Sequence, residues 1–506
     1  MNQTFYLLFH NSTPPLPFQT SHFCKSSINP HKPLVLKPLL LPINCWSTRT
    51  NPAIPLEQNP QDSKHRALLV QNFFQTQQLL DLIEKIKGGI DPLKLLRDEG
   101  DWNKDQFWAV MKLLKETSRI KEAMQVFDYW VNVERSRLDD SNYTKMIELL
   151  VDAGLMDEAT TMLKEVKDFG VRPTVAVYNF IVHGYANTGN FDKANLFLRE
   201  MRDLGLVPES ETYDGLIRAY GNHRMYDDMA KCAKKMESEG FTPDHLTYNI
   251  LIREFARGGL MVRMEGAYRT LLSKKMGLQY STLVAMLEAY AALGCVNEME
   301  TVFRRLLKSK IPLKEDLVRK VARAYIKNHR FSRLEDLGLG VASKTGRTDL
   351  FWCLLLLSHA CLCSRKGIKS VIQEMKSAMV RPNVTFANIT ALTYLKMKDV
   401  QYLDVLLSQL QLLNVNPDIV TVGVVMDAYV SGFDDIKALR MWRKTGFLRR
   451  PVEMNTDPLV LTAFGKGYFL RSCEELYLSL GAKGRERKVW TYNDLIDLVF
   501  NQNERS

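Results

Sequence analysis

The chain has no Cys-x-x-Cys pair among its eight cysteines, and no two histidines one helical turn apart with a glutamate beside them. The first absence removes the spacing of zinc ribbons and redox motifs, and the second that of zinc hydrolases. Cys361 and Cys363, two apart, point to different faces of a helix, so reduced thiols and no metal or other cofactor are expected. No glycine loop of phosphate-cradling form is present, because Gly88-Gly89 and Gly258-Gly259 fall where helices break. Asp139-Asp140 and Asp434-Asp435 are paired carboxylates, but adjacent residues diverge on a helix, and acids near a helix start favour its positive end. Long apolar runs are missing as well. The most apolar stretch, Leu350 to Cys363 (LFWCLLLLSHACLC), is too short to span a bilayer. Catalysis, a membrane and a small-molecule substrate are therefore not expected.

Acid is absent from the first 56 residues. No Asp or Glu precedes Glu57, while the segment carries nine prolines, ten Ser or Thr, and only Lys25, Lys32, Lys37 and Arg49 as cations. This composition reads as a transit peptide over 1–56, and its single arginine favours a chloroplast over a mitochondrion. Residues 57–100 are expected to be a linker and an N-terminal capping helix, the helix running from Ala67 to Ile86. The formal net charge is +11, of which four charges lie in the terminal segment, leaving about +7 on the remainder. That excess permits a polyanionic partner without requiring one.

What is present is a period. Pro173, Pro208 and Pro243 lie 35 residues apart, and an aromatic follows twelve residues after each, at Tyr185, Tyr220 and Phe255. Tyr290 and Tyr325 continue the aromatic column after the proline has lapsed, and Gly170, Gly205 and Gly240 precede the prolines by three. A further glycine marks the middle of most copies, at Gly154, Gly189, Gly259 and Gly294. Pro382 and Pro417, again 35 apart, carry Tyr394 and Tyr429 in the same phase. Within one copy, Tyr178, Ile181, Val182 and Tyr185 form one helical stripe, and Ala194, Phe197, Leu198 and Met201 form a second beyond Gly189. Each copy is thus a helical hairpin. One hairpin buries too little to offset the entropy of ordering it, so the copies must stack into an all-α solenoid of about eleven units over 101–503.

The segments VYNFIVHGYANTGNFDKANLFLREM, beginning at Val177, and WTYNDLIDLVF, beginning at Trp490, resemble the pentatricopeptide repeat family of plant organellar RNA-binding proteins, in its plain 35-residue form. The resemblance implies a single-stranded organellar RNA partner, with other RNA-processing proteins as further partners. It also implies that each repeat reads one nucleotide, using a first-helix polar side chain and a residue just after the next proline. Carried onto this sequence, the pairs are Thr144 with Thr174, Asn179 with Glu209, Asp214 with Asp244, Asn249 with Gln279 and Asn388 with Asp418, while Val284, Arg319, Cys353, Gly423, Pro458 and Asn493 fill the first column elsewhere. Asn388 with Asp418 is the common family combination, with an expected preference for uracil. A branched aliphatic that would sandwich the base stands at Leu246, Leu350 and Val420, but Glu211 and Asp316 replace it in other copies.

One turn after the first column come His183, Arg218, Arg253, Glu288 and Arg323. Residues four apart share a helix face, so the histidine and three arginines form either a phosphate-contacting track or a solvated face paired within helices, as Asp214 with Arg218 could be. The expected function is sequence-biased RNA binding in processing, stabilisation, splicing or translation. The alternative is a protein-binding scaffold of the same fold. The chain ends soon after the helix at Trp490, so no appended nuclease-like or deaminase-like module is expected.

Overall fold

The computed structural model describes residues 76–99, 102–410, 412–433, 437–479 and 489–500. The transit peptide expected over 1–56 lies outside these residues, as does the start of the expected capping helix, whose later part is a helix over 76–87. Among the described residues every regular element is helical, and the only ladder-type pairing is one isolated antiparallel bridge between Pro451 and Thr491.

The hairpin follows from local chemistry. First helices such as His245–Arg257 and second helices such as Met261–Ser273 are 13 residues each. The turn between them needs one residue in the left-handed region, where a Cβ is penalised. Gly154, Gly189, Gly259 and Gly294 supply it at φ of 78°, 81°, 69° and 74°. Where the glycine is missing, Arg224, His329, Cys363 and Lys398 take the same conformation at 60°, 55°, 51° and 56°, so the turn outlives its preferred residue. Pro173, Pro208, Pro243, Pro382 and Pro417 each stand two residues before a first helix, where a missing N–H costs nothing.

Two compact units divide the chain within the helix Val175–Asn187, one reaching Gly184 and the other beginning at Tyr185. In the N-terminal unit, Lys104–Glu116 pairs with Ile120–Val133 and Asp140–Asp152 with Met156–Asp168. Asn103 and Gln106 cap the first of these reciprocally, each side chain accepting from the other's backbone N–H at 2.9 and 3.1 Å. Phe107 stacks on Trp130 with ring centroids 4.0 Å apart, and Phe127 meets Tyr143 edge-on. Phe107 is fully buried, which stabilises by about 1.5–3 kcal/mol for one such side chain. A Cβ on Gly184 would lie 2.6 Å from the Met156 sulfur, so glycine there is what lets two helices approach.

The second unit continues with hairpins whose first helices are Ser210–Asn222, His245–Arg257, Tyr280–Leu293, Glu315–Lys327, Asp349–Cys361, Val384–Lys396 and Ile419–Val430. Successive first helices pack side by side, with one exception. Between Glu315–Lys327 and Asp349–Cys361 the row opens, and the short helix Pro458–Phe464 packs against both of them and against Val384–Lys396. The sequence shows a one-residue contraction of the repeat at this point, and the intervening helix Arg333–Thr345 packs more closely on the following first helix than on its own partner.

The register expected at Pro458 is therefore corrected. Ten hairpins are regular among the described residues, the last being Ile419–Val430 with Lys437–Lys444. Beyond it, helix Tyr468–Ser479 takes the place next to Ile419–Val430, and a Cβ on Gly423 would lie 3.2 Å from Leu470. Pro458 does open a helix, as its fixed φ allows, with Asp457 capping it through Leu459 N–H at 2.9 Å. That helix folds back along the row of first helices instead of extending it.

Candidate nucleic-acid interface

In the second unit, each candidate pair sets the fifth residue of one first helix beside the residue that caps the next. Glu209, Asp244, Gln279 and Asp418 are N-cap residues, at the position where side-chain oxygens satisfy the orphan amides of a helix start. Asn249 Oδ1 accepts from Gln279 N–H at 2.8 Å, and Asn388 Nδ2 donates to Asp418 Oδ1 at 2.9 Å. The two columns that the resemblance pairs are thus brought together in space.

The pairs differ in what remains available. Asn249 is fully buried, and its Nδ2 donates to the carbonyls of His245 and Gly277 at 2.6 and 2.9 Å. Both donors are engaged, so Asn249 ties one repeat to the next, and offering an amide to a base would require releasing these bonds.

Asn388 and Asp418, expected to read uracil, are both fully buried and hydrogen-bonded to the chain itself. Asn388 Nδ2 also donates to Thr456 Oγ1 at 2.7 Å, and its Oδ1 accepts from the Thr421 hydroxyl at 2.9 Å. Asp418 Oδ1 accepts from the amides of Val420 and Thr421 at 3.1 Å each, and Oδ2 accepts from the amides of Asn455 and Thr456 at 3.0 and 2.9 Å and from the Thr456 hydroxyl at 2.6 Å. The aliphatic of this pair, Val420, is buried too, as is Leu350 in the copy that holds Cys353, leaving neither free to sandwich a base. Sequence reading missed Thr421 and Thr456, since no spacing signal links Asn388 to a residue 68 positions away.

Asp214 is the contrasting case. Its carboxyl is buried and Oδ1 has no hydrogen-bond partner among the described residues. Burial, with the nearby charge of Asp244 adding to it, pushes the Asp214 carboxyl up to about 6, against the opposing Thr247 hydroxyl and Arg218. Asp244 itself is exposed and caps its helix through Leu246 and Thr247 N–H at 2.7 and 3.0 Å.

Because the folded state holds the Asp214 proton more tightly than the unfolded chain, its contribution favours folding below about pH 4 and is lost as pH rises through about 6. Asp214→Asn should raise stability near pH 7.5 by about 1–2 kcal/mol, after solvent screening, and by much less at pH 4. Urea denaturation at the two pH values checks this. An identical difference between variant and parent at both would contradict it.

In the first unit, Thr144 and Thr174 converge on Asp140. The Thr144 hydroxyl donates to the Asp140 carbonyl at 2.7 Å, and both threonine side chains approach the carboxyl, whose affinity for a proton is raised mainly by burial. Asn179 is 5 % exposed in this unit, while Glu209, assigned as its partner, is exposed in the second and donates its own N–H to the Thr212 hydroxyl oxygen at 3.1 Å.

The cationic ladder is uneven. Arg218 is exposed, whereas His183, Arg253 and Arg323 are half-buried. Arg253 Nε donates to Glu254 at 2.9 Å, and Arg257 donates to the same carboxylate at 3.0 Å. Glu254 is 2 % exposed at a phase that carries Gly184, Ala219, Ala289 and Ala324 in other copies. Its bulk fits because Gly221 faces it, where a Cβ would lie 2.5 Å from the glutamate Cγ. Glu288 pairs with Lys320 at 2.7 Å on the next first helix. Among the described residues, no helix is long and apolar enough to cross a membrane, and no cluster of three metal-ligating side chains occurs.

Comparison with known proteins agrees with this repeat architecture. The PPR repeat family matches residues 173–222 and 208–257, the pentatricopeptide repeat domain matches 135–188, and a further PPR repeat matches 281–311. Among solved structures, the maize protein PPR10 in complex with an 18-nt psaJ RNA element is 17 % identical with a TM-score of 0.42, covering 87 % of this chain and 69 % of that one. Yeast Rmd9p in complex with a 16-nt target RNA is 11 % identical with a TM-score of 0.33, covering 85 % and 94 %. A chloroplastic pentatricopeptide repeat-containing protein of Arabidopsis thaliana is 56 % identical over 451 residues, 88 % of this chain and 89 % of the relative. With identity at that level running through nearly all of both chains, over hairpins that recur every 35 residues, this chain belongs to the pentatricopeptide repeat family.

Proposed function

We propose that this chain is a chloroplast protein that binds single-stranded RNA along its first helices and acts without catalysis of its own. The observation that carries the reading is the meeting of Asp214 with Asp244, where the two columns converge and Asp214 Oδ1 has no hydrogen-bond partner among the described residues, because two converging polar positions per repeat are what reading one base per repeat requires. Placement in the chloroplast is supported by the chloroplastic relative and by the acid-free, proline-rich segment 1–56, which acts as the transit peptide. The mature array then begins near residue 101.

Base contact falls to Thr144 with Thr174 and to Asn179 in the first unit, and to Glu209 and to Asp214 with Asp244 in the second. Backbone contact falls to His183, Arg218 and Arg323. Crosslinking the native protein in chloroplasts and sequencing the bound RNA tests the proposal. Recovery of a small set of transcripts with a shared short motif is the expected result. Recovery of protein partners alone, with no RNA above background, would transfer the fold to a scaffolding role.

A further inference from the structure

We infer that residues 452–464 are a resident plug in the base-facing row of first helices, and that nucleotides are excluded from Arg319, Cys353 and Asn388. Three observations in the second unit meet at this segment. The row of first helices opens between Glu315–Lys327 and Asp349–Cys361, and Pro458–Phe464 occupies the opening, with Leu459 and Val460 fully buried. Each column residue there is already engaged or covered. Arg319 Nε donates to Asp457 at 2.9 Å, Asn388 donates to Thr456, and Cys353 is 2 % exposed. The segment is also pinned along its length, by Asp457 N–H to the Thr385 hydroxyl at 2.9 Å, by Ile419 N–H to the Glu453 carbonyl at 3.0 Å and by Val452 N–H to the Trp490 carbonyl at 3.0 Å.

The peptide stands in for a nucleotide chemically. The amides of Asn455 and Thr456 donate to Asp418 as the ring N–H of a pyrimidine would, and the Thr456 hydroxyl both donates to Asp418 and accepts from Asn388. One entering base would replace at most two or three of these bonds, while displacing the segment breaks all of them and exposes Leu459 and Val460. An occupant held this way is part of the fold. It is not a lid. Bases are accordingly read only by columns N-terminal to Glu315–Lys327, with Arg323 on that helix left as the last backbone contact, which makes the footprint shorter than the number of hairpins. The footprint rests on the proposed RNA-binding function; the occupancy of the row does not.

Peptide-resolved hydrogen exchange on the full chain tests both parts. In the free protein, amides 455–461 should exchange slowly, and a saturating pool of 20-nucleotide single-stranded RNA should leave their rate unchanged while slowing exchange near Asp214. Asn388→Ser should accelerate 455–461 by at least about 10-fold through local opening, yet leave base preference in oligonucleotide competition as it was. Rapid exchange of 455–461 in the free chain, acceleration on adding RNA, or a changed base preference in Asn388→Ser would each overturn the plug. Should Asn388→Ser fail to fold, Arg319→Gln is read the same way. If no RNA binds at all, the proposed function fails, and slow exchange that Asn388→Ser or Arg319→Gln accelerates still upholds the occupancy.

Discussion

Asp418→Ala is expected to lower the stability of the second unit by about 3–5 kcal/mol, the range for removing one partner from a buried, charged hydrogen-bond network. The size follows from what is left behind. The carboxylate is fully buried and serves the amides of Val420, Thr421, Asn455 and Thr456, the hydroxyl of Thr456, and the Asn388 amide. Alanine cannot accept any of these, and each stranded buried donor costs about 1–3 kcal/mol, partly recovered by relaxation or an entering water. Asp418→Asn should also destabilise, because its amide nitrogen would face N–H groups where an oxygen is needed. Asp244→Ala is the internal comparison. It removes the equivalent N-cap at an exposed position, and should cost only about 1 kcal/mol. Urea unfolding followed by helical circular dichroism measures all three. Similar losses for Asp418→Ala and Asp244→Ala would show that capping alone, and not the buried network, sets the value.

Replacing Arg218 and Arg323 together by alanine should weaken binding to every single-stranded RNA about 10-fold or more at low salt, and lower the dependence of log K on log salt by up to about 0.7 for each phosphate no longer neutralised. Stability should hardly move, since Arg218 is exposed and Arg323 half-buried. Arg253 belongs to a different class despite sharing their phase. It holds Glu254, which is 2 % exposed and otherwise served by the more exposed Arg257. Arg253→Ala should therefore cost about 1–3 kcal/mol of stability by leaving a buried carboxylate short of a partner. Filter binding across a salt series, together with thermal melts, separates the two outcomes. If the Arg218 and Arg323 double variant keeps both affinity and salt slope, those cations form a solvated face and RNA is held elsewhere.

The separation between Arg253 and its repeat-phase equivalents marks the limit of what phase can report. Phase places all the ladder residues on one helix face, as i to i+4 geometry dictates. It does not reveal that Glu254, one residue on, is buried against Gly221 and claims the arginine. The same holds for the base-reading columns. Their convergence was legible, because each pair is set by a repeat length and a helix start. Whether a pair is open, as at Asp214, or saturated, as at Asn249, depends on the neighbours it packs against.

The hairpin, its turns and its stacking unit were legible in the amino-acid order alone, since they follow from interactions within 35 residues: the left-handed turn at Gly154, Gly189, Gly259 and Gly294, the prolines Pro173, Pro208, Pro243, Pro382 and Pro417 two residues before their first helices, and the apolar stripes between them. Which columns are left to face a ligand was settled only by the packed chain. Arg319 meets Asp457 across 138 residues and Asn388 meets Thr456 across 68, and no period in the chain records either separation. A helical period states which face of a helix is polar. What that face meets is fixed by where the row of helices opens, and here the chain's own residues 452–464 complete the row at Arg319, Cys353 and Asn388 because their buried apolar and hydrogen-bonding groups fit the gap.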